Sequence, residues 1–238
     1  MLILSVNSLS IIGQAFAQSD SLGKLIFAAL FTLSIISWIV LLTKTIHLKR
    51  LRQLSDQLEG AILRQKERLL EVPSERLKGR HPFAHIYENF KIKTVEILNK
   101  NHHFATGNTV FLSRSDVDLI ESAVIASINN EAKDLEHNLF ILSTVVTLAP
   151  FLGLLGTVWG ILLTFSQMQS ASSAFSNQVV LGGLAMALAT TVLGLVIAIP
   201  ALIGYNYLKN GIKHFFAEME GFGEKLLSTV ELQYRKVE

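Results

Sequence analysis

The feature that most constrains this chain is an uncharged stretch that begins after His137 and ends before Lys209. It contains no acidic residue, no basic residue and no histidine, and it is long enough for two membrane crossings of about 20 residues each. It is also rich in Gly, Ala, Ser and Thr. Small and hydroxyl-bearing residues in a membrane helix indicate close helix contacts or a polar path, so this stretch is more than an anchor.

Composition supports a membrane protein. Half of the 238 residues are hydrophobic and 17% are charged, which is below the roughly 25% usual in soluble proteins. The charged residues lie almost wholly outside the apolar runs, and this segregation is typical of a chain whose partner is the lipid bilayer. The formal net charge of +2 argues against a nucleic-acid partner, and the absence of cysteine excludes disulfides and thiolate metal sites.

Three apolar runs predict an all-α fold with three transmembrane helices, two of which extend into a cytoplasmic helical bundle. The first run reads LIFAALFTLSIISWIVLL. We expect the spans at residues 23–44, 139–167 and 179–208. The remaining segments are an N-terminal periplasmic or interfacial segment, a cytoplasmic helical segment, a periplasmic loop and a cytoplasmic C-terminal helix, at 1–22, 45–138, 168–178 and 209–238.

Basic residues set the expected orientation. Four of them follow the first span between positions 44 and 52, and Lys209 and Lys213 follow the third. The loop between the second and third spans has none. Because cytoplasmic flanks carry an excess of Lys and Arg, the N-terminus is predicted to be periplasmic and the C-terminus cytoplasmic.

Two interpretations of residues 1–20 stay open. Ala15-Phe16-Ala17 resembles a signal-peptidase site, but no basic region precedes it. An uncleaved amphipathic helix at the membrane interface, leading into the first span, is the alternative that we favour.

The segment between the first two spans has the pattern of helices. Apolar residues recur at helical spacing over 46–70, so the first span is predicted to continue beyond the membrane. Breakers follow between positions 73 and 82. A second helix is expected to begin at Pro82, since proline suits the first turn, and to end near Asn101, with a loop to Thr109.

A further helix is expected to have Ser115 as its N-cap. Asp116 and Asp118 would then lie in the first turn, where the helix dipole favours acids. Neither Gly nor Pro occurs between this point and Pro150. The sequence therefore predicts one helix that runs from the cytoplasmic segment into the second span.

Each of the last two spans has a face of mostly small or hydroxyl-bearing residues at helical spacing. In the second span the face comprises Thr147, Pro150, Gly153, Thr157, Gly160, Thr164 and Gln167, and Gly156 is a further packing candidate. In the third span it comprises Leu184, Ala187, Thr191, Gly194, Ala198, Ala201 and Tyr205. Pro150 and Pro200 are expected to kink or begin their helices.

Two interpretations of these faces stay open. Gly and Ala allow close backbone approach, so the faces are suited to helix packing. Thr157 and Thr191, one on each helix, indicate instead the lining of a shared cavity, because a hydroxyl can both donate and accept a hydrogen bond. The two spans lack any titratable acid or histidine. If the protein uses a proton gradient, the titrating group must therefore come from another chain.

The rest of the chain offers no competing chemistry. His102-His103 is an isolated pair, and no phosphate-binding loop, zinc-protease motif or nucleophile elbow occurs. We therefore expect no metal, no cofactor and no enzymatic activity.

Two motifs resemble the TolQ/ExbB family, which is related to the flagellar stator protein MotA. APFLGLLGTVWGI at 149–161 is similar to the family's second-span signature, and GLAMALATTVLGLVIAIPALIGYNY at 183–207 is similar to its third-span signature. SLGKLIFAALFTLSIISWIVLLTKT resembles the first span, with a TolQ-like SIISW core. The resemblance covers nearly the whole chain and is weakest over 50–130.

The resemblance implies a homopentamer in the bacterial inner membrane, whose pore encloses the spans of a dimeric TolR- or ExbD-like partner. That single-span partner carries an intramembrane aspartate that takes up and releases protons, and force passes to a TolA- or TonB-like protein. The family's two pore threonines fall on Thr157 and Thr191.

The function that the resemblance implies is that of a proton-channel-forming stator subunit, which uses the proton-motive force for Tol-Pal outer-membrane maintenance and cell division. The first alternative is an ExbB-like role in TonB-dependent import or biopolymer transport. The second is a structural scaffold without proton coupling.

Met186 departs from the family pattern. Many members have a glutamate there, in a string like GIAEAL, where this chain reads GLAMAL. Methionine cannot titrate, so the protein would be inactive if that glutamate were essential. We expect instead that the glutamate is auxiliary and that the partner's aspartate suffices.

Overall fold

The computed structural model describes residues 13, 16–17, 19–63, 69–70, 81–104, 111–170 and 177–234. Its long elements are five helices: α1 (Ser21–Leu63), α2 (Pro82–Phe104), α3 (Arg114–Glu136), α4 (Leu139–Ser170) and α5 (Asn177–Tyr234). The predicted all-α class is thereby confirmed. The interfacial helix or signal peptide expected at 1–20 lies almost wholly outside the described residues, as do most of the breakers expected over 73–82.

Within the described residues, three stretches are long and apolar enough to cross a membrane, as judged from length and composition: Ser21–Ile62, Leu139–Gln169 and Gly182–Tyr234. The three predicted spans therefore correspond to three candidate membrane-spanning helices. Pro150 and Pro200 lie inside α4 and α5 and begin neither helix.

The connections are shorter than expected. α2 continues to Phe104, so the first residues of the loop expected over 101–109 are helical. α4 continues to Ser170 and α5 begins at Asn177. The loop expected over 168–178 therefore loses residues to helix at both ends.

The N-cap of α3 is Ser113, so the prediction of Ser115 is wrong. Ser113 Oγ accepts a hydrogen bond from the Asp116 N–H at 3.2 Å, and Asp116 Oδ2 accepts one from the Ser113 N–H at 2.9 Å. The two bonds form a capping box. Both serines have an aspartate three residues later, but Asn101 of α2 donates to Asp116 Oδ2 at 2.9 Å and so favours the earlier cap.

The predicted single helix from Ser115 to Pro150 is also wrong. α3 ends at Glu136, a turn follows at His137 and Asn138, and α4 begins at Leu139. Asn138 has φ 70°. Asparagine adopts this left-handed conformation more readily than most side chains, so it ends the helix where neither Gly nor Pro is present.

One compact unit comprises Met1–Thr43 and Asn138–Leu208, and it contains the apolar parts of α1, α4 and α5. Its core joins the three helices through Ile26, Leu30, Val145, Ala149, Ile197, Ala198 and Ala201. Large apolar side chains on other faces stay exposed, such as Phe31 and Phe151, each 68% exposed. Helices that are apolar on both their packed and their exposed faces are typical of a protein whose outer surface meets lipid.

The second unit comprises Lys44–His137 and Lys209–Glu238. Its core is aromatic, with the ring of Phe83 centred 5.7 Å from that of Phe215 and 4.8 Å from that of Phe222. The Tyr87 hydroxyl donates to the Leu69 carbonyl at 2.5 Å, and burial raises the pKa of Tyr87 to about 12. The phenol therefore remains a neutral donor at every physiological pH.

His81 is buried in this second unit between two main-chain groups. Its Nε2 donates to the Leu51 carbonyl at 3.0 Å, and its Nδ1 accepts the Phe83 N–H at 3.2 Å. Burial lowers the pKa of His81, and it outweighs the opposing effects of the Leu51 bond and the Glu131 charge. The imidazole is therefore held neutral in a single tautomer.

Candidate functional site

The helices α4 and α5 lie very close together, and glycines of α4 make this possible. A Cβ at Gly153 would lie 2.9 Å from the Cα of Thr191 and 2.9 Å from the carbonyl oxygen of Thr190. Gly156 likewise leaves room for the side chain of Thr190. A larger residue at either position would push the two backbones apart, so these glycines set the distance between the helices.

The contact continues in both directions along the helix pair. Three further glycines take part in it: Gly160 against Ala187, Gly183 against Thr164, and Gly194 against Ala149. The small faces predicted for the second and third spans therefore meet each other within one chain over their middle portions.

Thr157 and Thr191 have their hydroxyl groups bonded to main-chain carbonyls. Thr157 is 9% exposed, and its Oγ1 donates to the carbonyl of Leu154 in its own helix at 2.7 Å. Thr191 Oγ1 donates across the contact to the carbonyl of Gly153 at 3.0 Å. The two threonines flank the same glycine contact, one on each helix.

Thr190 belongs to this site, although the sequence pattern did not select it. It is 2% exposed, and its Oγ1 lies 2.7 Å from the Ala187 carbonyl and 3.2 Å from the Gly153 carbonyl, both of which accept from it. Adjacent helical residues point about 100° apart, so the spacing that selected Thr191 excluded its neighbour. The Thr-Thr pair itself was the signal that could have identified it.

The other predicted residues have different surroundings. Ala198 is buried in one cluster with Ile26 and Leu30 of α1. Thr191 is half-buried, and the other exposed or half-buried members of the two predicted faces, together with the second proline, are Thr147, Pro150, Gln167, Leu184, Pro200 and Tyr205. The close contact between α4 and α5 therefore involves residues from the middle portions of the two faces.

Met186 lies on a different side of α5 from Thr191. It is 8% exposed and packs with Phe27 of α1, and the Ser19 hydroxyl donates to its sulfur at 3.1 Å. Five helical positions separate Met186 from Thr191, which corresponds to an angle of about 140°. The Met186 side chain is therefore directed at α1.

A polar contact that no sequence pattern predicted joins α1 to α4. Trp159 Nε1 donates to Asp20 Oδ2 at 2.9 Å, while Asp20 Oδ1 accepts the Gly23 N–H at 2.9 Å in the first turn of α1. Burial raises the pKa of Asp20, but the hydrogen bonds from Trp159 and the main chain outweigh it and leave the pKa below its ordinary 3.8. The carboxylate is therefore ionised at neutral pH.

These features define a class: a multi-pass membrane protein in which two of three apolar helices are joined through glycines and buried threonines. Residues 95–221, more than half of the chain, match the MotA/TolQ/ExbB proton channel family. The chain belongs to this family, and the resemblance carried by its two long motifs is confirmed.

The relatives include TolQ and ExbB proteins. The Tol-Pal system protein TolQ of Haemophilus influenzae is 30% identical over 202 residues, which cover 81% of this chain and 82% of that protein. The biopolymer transport protein ExbB of Aquifex aeolicus is 39% identical over 99 residues, 42% of this chain and 66% of its own length. The ExbB protein of Pseudomonas putida is 28% identical over 216 residues, 90% of this chain and 62% of its own length.

Proposed function

We propose that this protein is the proton-channel-forming stator subunit of an inner-membrane motor driven by the proton-motive force. The observation that carries the proposal is the pair Thr157 and Thr191, which flank one close contact between α4 and α5 in a stretch without any charged residue. Membership of the proton channel family supports the same function.

In this proposal the chain supplies the wall of the pathway and a partner supplies the titrating acid. The last two spans contain no carboxylate and no histidine, and proton-driven membrane machines use such groups within the membrane. The partner is a TolR- or ExbD-like single-span protein with an intramembrane aspartate. Five copies of this chain surround it, and force passes to a TolA- or TonB-like protein.

The test is proton flux through liposomes that contain the purified complex with its partner. Thr157→Val and Thr191→Val keep the side-chain volume and remove the hydroxyl, so each should lower flux about tenfold, roughly the value of one hydrogen bond. Thr144→Val is the matched control, because Thr144 is exposed in the same helix and also bonds its own main chain, at Phe140.

Three results are possible in this experiment. Loss of flux in the first two variants with a normal control supports the motor. Unchanged flux in both would favour the scaffold that lacks proton coupling. Equal loss in all three would mean that these threonines have no special role.

A role in Tol-Pal outer-membrane maintenance and cell division is the function we favour within the family, because the TolQ match extends over four fifths of both chains. An ExbB-like role in TonB-dependent import or biopolymer transport is the second candidate, supported by the higher local identity to the Aquifex protein. Deletion of the gene separates them: detergent sensitivity and chained cells indicate the Tol role, and loss of iron-siderophore uptake indicates the Ton role.

We further propose that the N-terminus is periplasmic, that residues 45–138 and 209–238 are cytoplasmic, and that the loop after α4 is periplasmic. The basic residues after the first and third spans support this orientation. The chain has no cysteine, so a Lys49→Cys variant carries a single thiol. A membrane-impermeant maleimide should label it only after the inner membrane is opened, and labelling of intact spheroplasts would contradict the orientation.

A further inference from the structure

Asp20 is the only acidic residue in the unit formed by Met1–Thr43 and Asn138–Leu208. It lies at the start of α1, and its two carboxylate oxygens have different partners. Oδ1 caps the first turn of α1 through the Gly23 N–H, as an N-cap aspartate commonly does. Oδ2 is directed at another helix and accepts the indole N–H of Trp159. One carboxylate thus begins α1 and holds α4.

Trp159 and Thr157 lie two positions apart on α4, so their side chains point about 200° apart around the helix axis. The indole is directed at α1, whereas Thr157 is buried beside Gly156 and Gly153, which contact α5. Glycine contacts set how closely two helices approach, but they have no side chain to resist rotation. A hydrogen bond at the tip of a long indole does resist it, because a small rotation of α4 moves that tip by a large distance.

The bond has the properties needed to hold a membrane helix. Between helices in lipid there is no hydrophobic driving force, so packing and hydrogen bonds decide which faces meet. A hydrogen bond to an ionised acceptor is about twice as strong as a neutral one. A second contact, from Ser19 to Met186, joins the same end of α1 to α5, so adjacent residues engage both other helices.

We propose that Asp20 is a positioning residue of the proton pathway: by accepting the Trp159 N–H it fixes the rotation of α4, and with it the direction in which Thr157 is presented. The inference rests on the proposed function, because it assigns a role relative to Thr157. It assigns that role to a residue outside the two spans that carry the family motifs.

Two substitutions remove the bond with little other change. Asp20→Asn retains an N-cap, since asparagine caps helices about as well as aspartate. The asparagine amide has only one oxygen, and that oxygen accepts the Gly23 N–H. Its NH₂ group then faces the indole N–H of Trp159. Both groups are hydrogen-bond donors, so no hydrogen bond forms between them. Trp159→Phe keeps an aromatic ring and removes the N–H. Trp38→Phe is the matched control, because the chain's other tryptophan is 50% exposed.

The first measurement is spectroscopic and independent of transport. In a Trp38→Phe background Trp159 is the single tryptophan, and ultraviolet resonance Raman of the purified complex reports whether its N–H is hydrogen-bonded. We expect a strongly bonded N–H that becomes weakly bonded on Asp20→Asn. An unchanged indole signal in that variant would overturn the inference.

The second measurement is proton flux in the same liposomes. Asp20→Asn and Trp159→Phe should each lower flux about tenfold, the factor that corresponds to one hydrogen bond to a charged group. Because both remove the same bond, the double variant should be no worse than either single variant. Additive losses, or wild-type flux in both single variants, would overturn the inference. If Asp20→Asn does not assemble, the flux of Trp159→Phe compared with that of Trp38→Phe decides alone, and equal flux in the two would overturn the inference.

Failure of this inference is distinguishable from failure of the proposed function. If Thr157→Val and Thr191→Val lower flux while Asp20→Asn and Trp159→Phe conduct normally, the pathway stands and the positioning role falls. If Thr157→Val and Thr191→Val both conduct normally, the proposed function falls, and with it the role assigned to Asp20.

Discussion

Thr191 Oγ1 donates a hydrogen bond to the carbonyl oxygen of Gly153, 3.0 Å away on the neighbouring helix. The same glycine has no room for a side chain, because the Thr191 backbone occupies the space. Hydrogen bonding and close packing therefore coincide at one residue. The contact between α4 and α5 depends on both.

Gly153→Ala should destabilise the protein. The new methyl would lie 2.9 Å from main-chain atoms of Thr190 and Thr191, and a backbone cannot move aside as a flexible side chain can. We expect a loss of about 1–3 kcal/mol, the usual cost of overpacking, measured by thermal unfolding in nanodiscs. The control is Gly221→Ala, a helical glycine with nothing within 4 Å, which should gain about 0.5–1 kcal/mol. Equal effects at the two glycines would contradict the close contact.

Met186→Glu should not increase proton flux, although the resemblance of the GLAMAL string led us to expect a glutamate at this position. The side chain packs with Phe27 and is directed away from Thr191, so a carboxyl there would be buried in apolar surroundings. We expect a loss of about 1–3 kcal/mol in stability. Met186→Leu, which keeps the volume, should cost less than about 1.5 kcal/mol. A gain in flux for Met186→Glu would contradict the direction of this side chain.

Stability should depend on pH through His81. Burial lowers its folded pKa below the unfolded value of 6.5, so the unfolded state binds the proton more readily. The contribution of His81 is therefore complete above pH 6.5 and is lost as the pH falls below 6.5 toward the folded pKa. Chemical unfolding at a series of pH values should show this loss in the wild type.

One variant separates His81 from the charged groups near it. Glu131 bonds His85 Nδ1 at 2.8 Å and also faces His81, and both partners remain in the variant. His81→Gln should flatten the dependence of the unfolding free energy on pH below 6.5. An unaltered slope in His81→Gln would show that other groups are responsible.

Ser113→Ala should cost more stability than Ser115→Ala. Ser113 closes the capping box with Asp116, and loss of an N-cap costs about 1 kcal/mol. The Ser115 hydroxyl contacts only that of Ser113 among the bonds described, at 2.9 Å, so its removal should stay within about 0.5 kcal/mol. Thermal unfolding of the two variants side by side measures the difference. A larger loss of stability in Ser115→Ala than in Ser113→Ala would indicate that Ser115 is the N-cap, as expected from the sequence.

The spans were predictable because each is a long apolar run, and α4 begins at Leu139, where the second span was expected to begin. The N-cap of α3 and the turn at Asn138 could not be predicted from the sequence. Two serines had equivalent spacing to an aspartate, and a contact with Asn101 on another helix favours one of them. An asparagine with φ 70° ended a helix in a region without the usual breakers.

The candidate site was predictable as two faces but not as one contact. Helical spacing shows which residues share a face of a helix, but it does not show which other helix packs against that face. Thr190 was missed for that reason, since its role depends on the space above Gly156. Asp20 and Trp159 are 139 positions apart, so their bond became apparent only in three dimensions.

The hydroxyl bonds of Thr157 and Thr191 have a consequence for charge. Each hydroxyl has one proton, and each donates it to a carbonyl of its own helix pair. What remains on the oxygen is lone pairs, which can accept a hydrogen bond but cannot give one. Such a surface attracts a protonated carboxylic acid and repels an ionised one. In the proposed pathway, a wall of this kind would discriminate between the loaded and the empty state of a proton carrier without any charge of its own.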